Sequence, residues 1–216
     1  GWYIKPVNGH YQIYHTGGQP ETRTMLMWFP TMDFAIALAY NLEGGSLRTI
    51  ARQLYQLIMD EGWNVKPYTG NKYDKALIDG IWDTYNYGMA YYDYRNKARN
   101  TDPEAMGRTF DFLNNTLNPD TLKKHFEEVK KKISLGIHPK ARKAYPRIGS
   151  YMTAMLVDKY GPQKLEYYHT HGAFALFKDY LQLSEKEGNQ WTVNQALKDK
   201  IERYHSDWSE TWNAFT

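Results

Sequence analysis

The apolar residues of this chain change their spacing near residue 46, and few features restrict a fold as tightly. Up to Asn41 they alternate, or run together in short blocks between turn residues, as strands do. From Leu47 onward they recur every three or four residues, as helices do. A chain of 216 residues with this order of patterns reads as α+β: a short antiparallel sheet with a covering helix, then an all-α helical extension. The loop-like stretch from Gly62 to Gly70 sets the expected boundary, giving units of residues 1–66 and 67–216.

Within the first unit, Trp2 to Val7 leads into Asn8-Gly9, a pair suited to a two-residue hairpin because both positions accept positive φ. His10 to His15 returns, and Thr16-Gly17-Gly18-Gln19-Pro20 interrupts the pattern. Thr22 to Phe29 is turned by Pro30 to Asp33 into Phe34 to Asn41. That last run is almost continuously apolar, which predicts a central strand covered on both faces. Leu47, Ile50, Ala51, Leu54, Leu57 and Ile58 then form the stripe of a helix over 46–61, with Ser46 as its cap. Three or four strands and one helix are near the lower limit for independent stability. The sheet should therefore lean on the helical extension, or two chains should pair through its edge into a homo-oligomer.

The extension reads as a series of helices. One spans Tyr73 to Arg99, with Gly80 and Gly88 as candidate breaks. Asp102-Pro103 and Asn118-Pro119 each open another, the second running to Gly136. Further helices are expected over Arg147 to Tyr160, up to Tyr168, over Ala173 to Leu183, and from Thr192 to Asn213. Thr192 and Gln195 have the spacing of a capping box.

Composition excludes several functions. With 42% hydrophobic and 24% charged residues the chain is globular, and no apolar run of about 18 residues is present to span a membrane. The absence of cysteine removes disulfides and thiolate zinc sites. A net charge of +3 is too small to suggest a nucleic-acid binder. Nineteen Tyr and seven Trp suit either seams between helices or a cleft for peptide or carbohydrate, and packing is the expected use. The basic residues from Lys123 to Arg147 are expected to form a solvated face. His169-Thr170-His171 has no carboxylate at a matching offset, so no metal site and no cofactor are expected.

The segment that carries chemistry is Tyr14-His15-Thr16-Gly17-Gly18-Gln19-Pro20. Taken with Gly1-Trp2, the Asn8-Gly9 turn, a strand, Pro30, a second strand and Asn41, it resembles the end of a serine β-lactamase-like domain. That superfamily includes class C β-lactamases, penicillin-binding proteins and related esterases. The resemblance covers about residues 1–60 and implies that His15-Thr16-Gly17 stands where the family has its third motif, usually Lys-Thr-Gly, on an inner strand bordering the active site. His15 would then join the acid–base network and attract a substrate carboxylate. Thr16 would offer its hydroxyl, Gly17 would leave room for substrate beside the strand, and Gly18 would lend a backbone N–H to an oxyanion hole. The packing alternative makes Gly17-Gly18 a plain bulge or turn and His15 an ordinary surface residue.

The nucleophile is missing. The family's Ser-x-x-Lys precedes the third motif by a long stretch, whereas fourteen residues precede His15, and Ser184-Glu185-Lys186 has the wrong spacing to share a helical face. The expected function is the C-terminal share of a hydrolase of amides or esters, inactive alone. Its partner would be a small-molecule or peptide substrate met through a longer parent enzyme. The resemblance by itself points to a periplasmic or extracellular setting. The alternative is a non-catalytic helical module that binds a peptide, glycan or protein. Within the extension, Gly149, Met152, Tyr160-Gly161, Leu165, Phe174, Phe177 and Tyr180 faintly resemble the packing positions of gluzincin-type metallopeptidase helices, without their zinc motif.

Overall fold

The computed structural model describes residues 1–41, 46–60, 70–95 and 102–213, and for 94–95 and 209–213 the backbone alone. Four antiparallel strands form one sheet in sequence order: β1 (Tyr3–Ile4), β2 (Ile13–Gln19), β3 (Thr22–Phe29) and β4 (Phe34–Tyr40). The chain is α+β, as its patterns predict. The Asn8-Gly9 turn forms with φ of 50° and 80°, and Tyr3↔Tyr14, Ile4↔Ile13 and Val7↔His10 keep one register about it. The segment Thr16 to Gln19 does not interrupt the sheet. It continues β2 to its end, paired residue for residue with β3.

Helix α1 (Leu47–Met59) starts where the Ser46 side chain accepts a hydrogen bond from the Thr49 N–H at 3.3 Å. Its Ala51 and Tyr55 pack on Met25, Met27, Phe29 and Ile36, which occupy alternate positions of β3 and β4 and so share one face. β4 differs from its expected place. It pairs with β3 alone among the described residues and ends the sheet. Its continuous apolar look arises because the face turned away from α1 carries Ala35, Ala37 and Ala39, all exposed. Leu26 and Trp28 share that open face, Trp28 at 46% exposure.

The second unit is a bundle of α2 (Lys72–Arg95), α3 (Pro103–Thr116), α4 (Pro119–Lys124), α5 (Phe126–Leu135), α6 (Ala144–Tyr160), α7 (Lys164–Lys186) and α8 (Gln195–Asn213). The pair α2 and α6 crosses at its centre through Gly88 and Gly149. A Cβ on Gly149 would lie 2.0 Å from the Thr84 carbonyl oxygen and 2.7 Å from the Gly88 Cα, so only glycine permits this approach. Gly80 and Gly88 are therefore contact points in an unbroken helix, not breaks. Asp102 caps α3 at the Ala105 N–H (2.8 Å), and Asn118 caps α4 at Asp120 and Thr121, as the sequence predicts.

Four helix ends depart from expectation. The helix expected from Asn118 to Gly136 is split at His125 (φ −132°, ψ 49°). α6 begins at Ala144, with Pro146 tolerated inside its first turn. The helices expected on either side of residues 169–172 are one, kinked at Gly172 where φ is 74°. α8 starts at Gln195, because Asn194 rather than Thr192 caps it, accepting from the Leu197 N–H at 2.9 Å. Asn194 is itself held by Asn114, whose side-chain oxygen accepts the Asn194 N–H at 2.7 Å.

Tyrosines fill much of the bundle core, and their hydroxyls find partners there. The Tyr145 hydroxyl is 3.0 Å from Thr116 Oγ1, Tyr168 donates to Asp179 (2.9 Å), and Tyr180 donates to the Trp191 carbonyl. Burial, the main cause, holds these three phenols above the usual range. On α2, Asp74 accepts hydrogen bonds from Lys200 (2.6 Å) and Tyr204 (2.5 Å) of α8, with Arg203 at 3.2 Å. Of the basic residues from Lys123 to Arg147, those up to Arg142 lie on an exposed face as expected, with Lys132 paired to Glu128, whereas Lys143 and Arg147 are half-buried.

The two units meet at the Asn8-Gly9 turn. Gly9 N–H donates to Asn86 Oδ1 of α2 at 2.9 Å, and Asn8 O lies 2.6 Å from His169 Nδ1 of α7. The Tyr85 hydroxyl donates to Tyr168 O (2.7 Å) and lies 3.2 Å from Asn8 O. His10 stacks on His169 with centroids 3.8 Å apart, and Tyr11 sits edge-on to Tyr91. The sheet thus leans on the helices through a peg of four residues. The loop expected between Gly62 and Gly70 falls outside the described residues, except Gly70 itself.

Candidate functional site

His15, Thr16, Gly17 and Gly18 form the second half of β2, where the strand has lost its neighbour on one side. β1 ends its pairing at Tyr3↔Tyr14, so from His15 to Gln19 the outer edge of β2 meets no other strand among the described residues. Lys5 N–H donates to Gln12 O (3.1 Å), which shows that Gln12 faces the β1 side. By the alternation of an antiparallel strand, Thr16 and Gly18 present their N–H and C=O groups to that same open edge.

The side chains of the four residues divide between the two faces. Thr16 lies opposite Met25, on the α1 side, whereas His15 lies opposite Leu26, on the open side. There the Trp2 ring stands edge-on to His15 at 5.7 Å, and Gly1, Trp2, His15, Thr24, Leu26 and Ala37 line a shallow, largely apolar groove of about 460 Å³. His15 and Thr16 are both exposed. Only Thr16 and Gly18 share the open backbone edge, since His15 and Gly17 turn their backbone groups to β3, and the four form no single side-chain cluster.

Neighbouring side chains limit the space beside the two glycines. A Cβ on Gly17 would come 2.5 Å from Thr24 Oγ1, across the β2–β3 ladder, and one on Gly18 would come 3.0 Å from Arg23 Nη1. Arg23 Nη1 curls over the hairpin end and donates to Gln19 O at 2.8 Å.

Other polar groups singled out from the sequence have structural uses. Ser184 is buried in α7 and Lys186 is exposed, so the two do not meet as a nucleophile and base. His171 stacks on Tyr167, with Nδ1 2.9 Å from the Tyr167 carbonyl, and His169 holds the Asn8-Gly9 turn. Among the described residues no three His, Asp or Glu gather where they could hold a metal ion, and no helix is long and apolar enough to cross a membrane. No protein family, no curated protein and no solved structure matches the chain.

Proposed function

We propose that the sheet unit is the substrate-bordering, C-terminal part of a serine β-lactamase-like hydrolase of amides or esters. The observation that supports it is the open edge of β2, where Thr16 and Gly18 offer backbone donors and acceptors with Gly17 between them. A substrate lying along that edge would bond as an added strand does, and the Gly18 N–H would meet a developing oxyanion. His15 supplies the titratable group beside that edge. The nucleophile and its base come from a Ser-x-x-Lys segment that the described residues do not contain.

The chain alone should give no turnover of a chromogenic ester. Joined to the Ser-x-x-Lys segment that this reading requires, it should turn over, and His15→Ala should lower the rate at least about tenfold with an unchanged thermal midpoint. Full activity of that variant across several esters and amides would refute the role of His15. Gly17→Val is the poorer test, because its side chain would press on Thr24 whether or not substrate binds there.

A further inference from the structure

Between the sheet unit and the helical unit lies a cleft of about 400 Å³, a volume suited to a small molecule. Lys5 and the α1 residues Arg48 and Arg52 line it from the sheet unit; Trp82, Asp83, Asn86 and Tyr87 line it from α2. Among the described residues, the lining carries three cations and one carboxylate. Arg48 and Arg52 are one turn apart on the same face of α1. The guanidinium fork suits an oxyanion in particular.

The neutral groups are also donors. Asn86 Oδ1 is taken by the Gly9 N–H, which leaves the two N–H donors of the same amide for the cleft. Tyr87 keeps its proton throughout the neutral range: burial first, then Asp83, Tyr91 and Tyr14, push its phenol up to about 12. The Arg48 guanidinium lies over the Tyr14 ring, 5.8 Å from its centroid, so the cationic wall is continuous with an aromatic one. Trp82, Met25 and Met27 add apolar surface.

We infer that this cleft binds a small aromatic or apolar molecule carrying one oxyanion, carboxylate or phosphate, with Lys5, Arg48 and Arg52 holding the anion. Both units supply its walls, so the bound molecule fastens the sheet to the helices. This site is separate from the β2 edge, and the inference stands whether or not the hydrolase reading does.

The test uses the full chain with phenyl phosphate and benzoate as probes, and benzylamine and benzyl alcohol as cationic and neutral counterparts. Binding is followed by calorimetric titration and by the thermal midpoint. At least one anion should bind with a Kd of about 1 mM or tighter, raise the midpoint, and bind at least about tenfold more weakly to Arg48→Gln. Arg52→Gln should weaken it similarly. Arg48 and Arg52 are both exposed, so both variants should fold. Failure of both anions to bind, equal binding of benzylamine or benzyl alcohol, or unchanged anion binding in a folded Arg48→Gln would each overturn the inference. Benzoate and phenyl phosphate distinguish carboxylate from phosphate as the preferred group.

Discussion

Tyr145 and Trp28 belong to the two halves of one chain and meet opposite fates. Tyr145 is completely enclosed among the helices, and its hydroxyl is matched to Thr116. Trp28 stands on the open face of the sheet beside Leu26, with Trp2 nearby at 59% exposure. The helical unit closes around α2 and α6 with helices on every side that the core needs. Among the described residues the sheet unit has one helix for its two faces, and even α1 shows Leu57 to solvent at 80% exposure. A bundle can complete its own core because each helix offers a full circumference for packing. An antiparallel sheet can leave one face in water, and among the described residues the open face here carries Leu26 and Trp28.

The strongest way to break that comparison is to separate the units. Residues 67–216 alone should unfold in one cooperative transition, whereas 1–66 alone should show none, as followed by circular dichroism against denaturant. A monomeric 1–66 that melts cooperatively would show the two halves to be equally self-sufficient.

Next in size is the helix crossing. Gly149→Val places atoms where the Thr84 carbonyl and Gly88 now sit, and should cost about 3 kcal/mol in chemical denaturation. The same substitution at half-buried Gly107, where an added Cβ meets nothing, should improve nothing in packing and cost far less.

The Asp74 cluster sharpens the comparison through pH. Burial acts to raise the Asp74 carboxyl, but hydrogen bonds from Lys200 and Tyr204 and the charges of Lys200 and Arg203 outweigh it and hold the group below its ordinary value. The stability it adds is present above the unfolded carboxyl range, near about pH 4. It is lost as pH falls through the lower, folded value. Asp74→Asn should cost about 2 kcal/mol at neutral pH and flatten the acid limb of the helical unit's stability curve. An acid limb identical to that of the parent would contradict the account.

The smallest effect belongs to the sheet unit's exposed surface. Leu57→Gln should change the thermal midpoint little, within about 0.5 kcal/mol of neutral. A marked loss would mean that something covers α1.

What the sequence makes legible follows from how local each cause is. Asn8-Gly9, Ser46, Asp102-Pro103 and Asn118-Pro119 act within four residues of themselves, and each stands where its pattern predicts. Gly88 is read as a break because its reason, the backbone of α6, lies 61 residues away at Gly149. β4 is read as central because alanine on an open face looks apolar in a sequence. His125 splits α4 from α5 with neither proline nor glycine to announce it. The same division holds at the site. The His15 to Gly18 segment is visible as a segment, but its open edge depends on where β1 stops. The cleft between the units escapes notice because Lys5, Arg48 and Asn86 come together only through the seating of one turn.

That turn has a chemical consequence as well. Asn-Gly pairs age by deamidation: the glycine nitrogen attacks the asparagine side-chain carbonyl, ammonia leaves, and a succinimide opens to aspartate or isoaspartate. The reaction needs a free glycine N–H and a backbone able to swing into the ring. Here the Gly9 N–H is donated to Asn86, Asn8 is 3% exposed, and both φ angles are held by the surrounding helices. Native protein should therefore keep Asn8 intact through long storage, whereas unfolded chains should convert it. An inserted isoaspartate would lengthen the backbone by one carbon within a turn that has no slack. A molecule that had once unfolded for long enough would then refold its helices with the sheet left unseated.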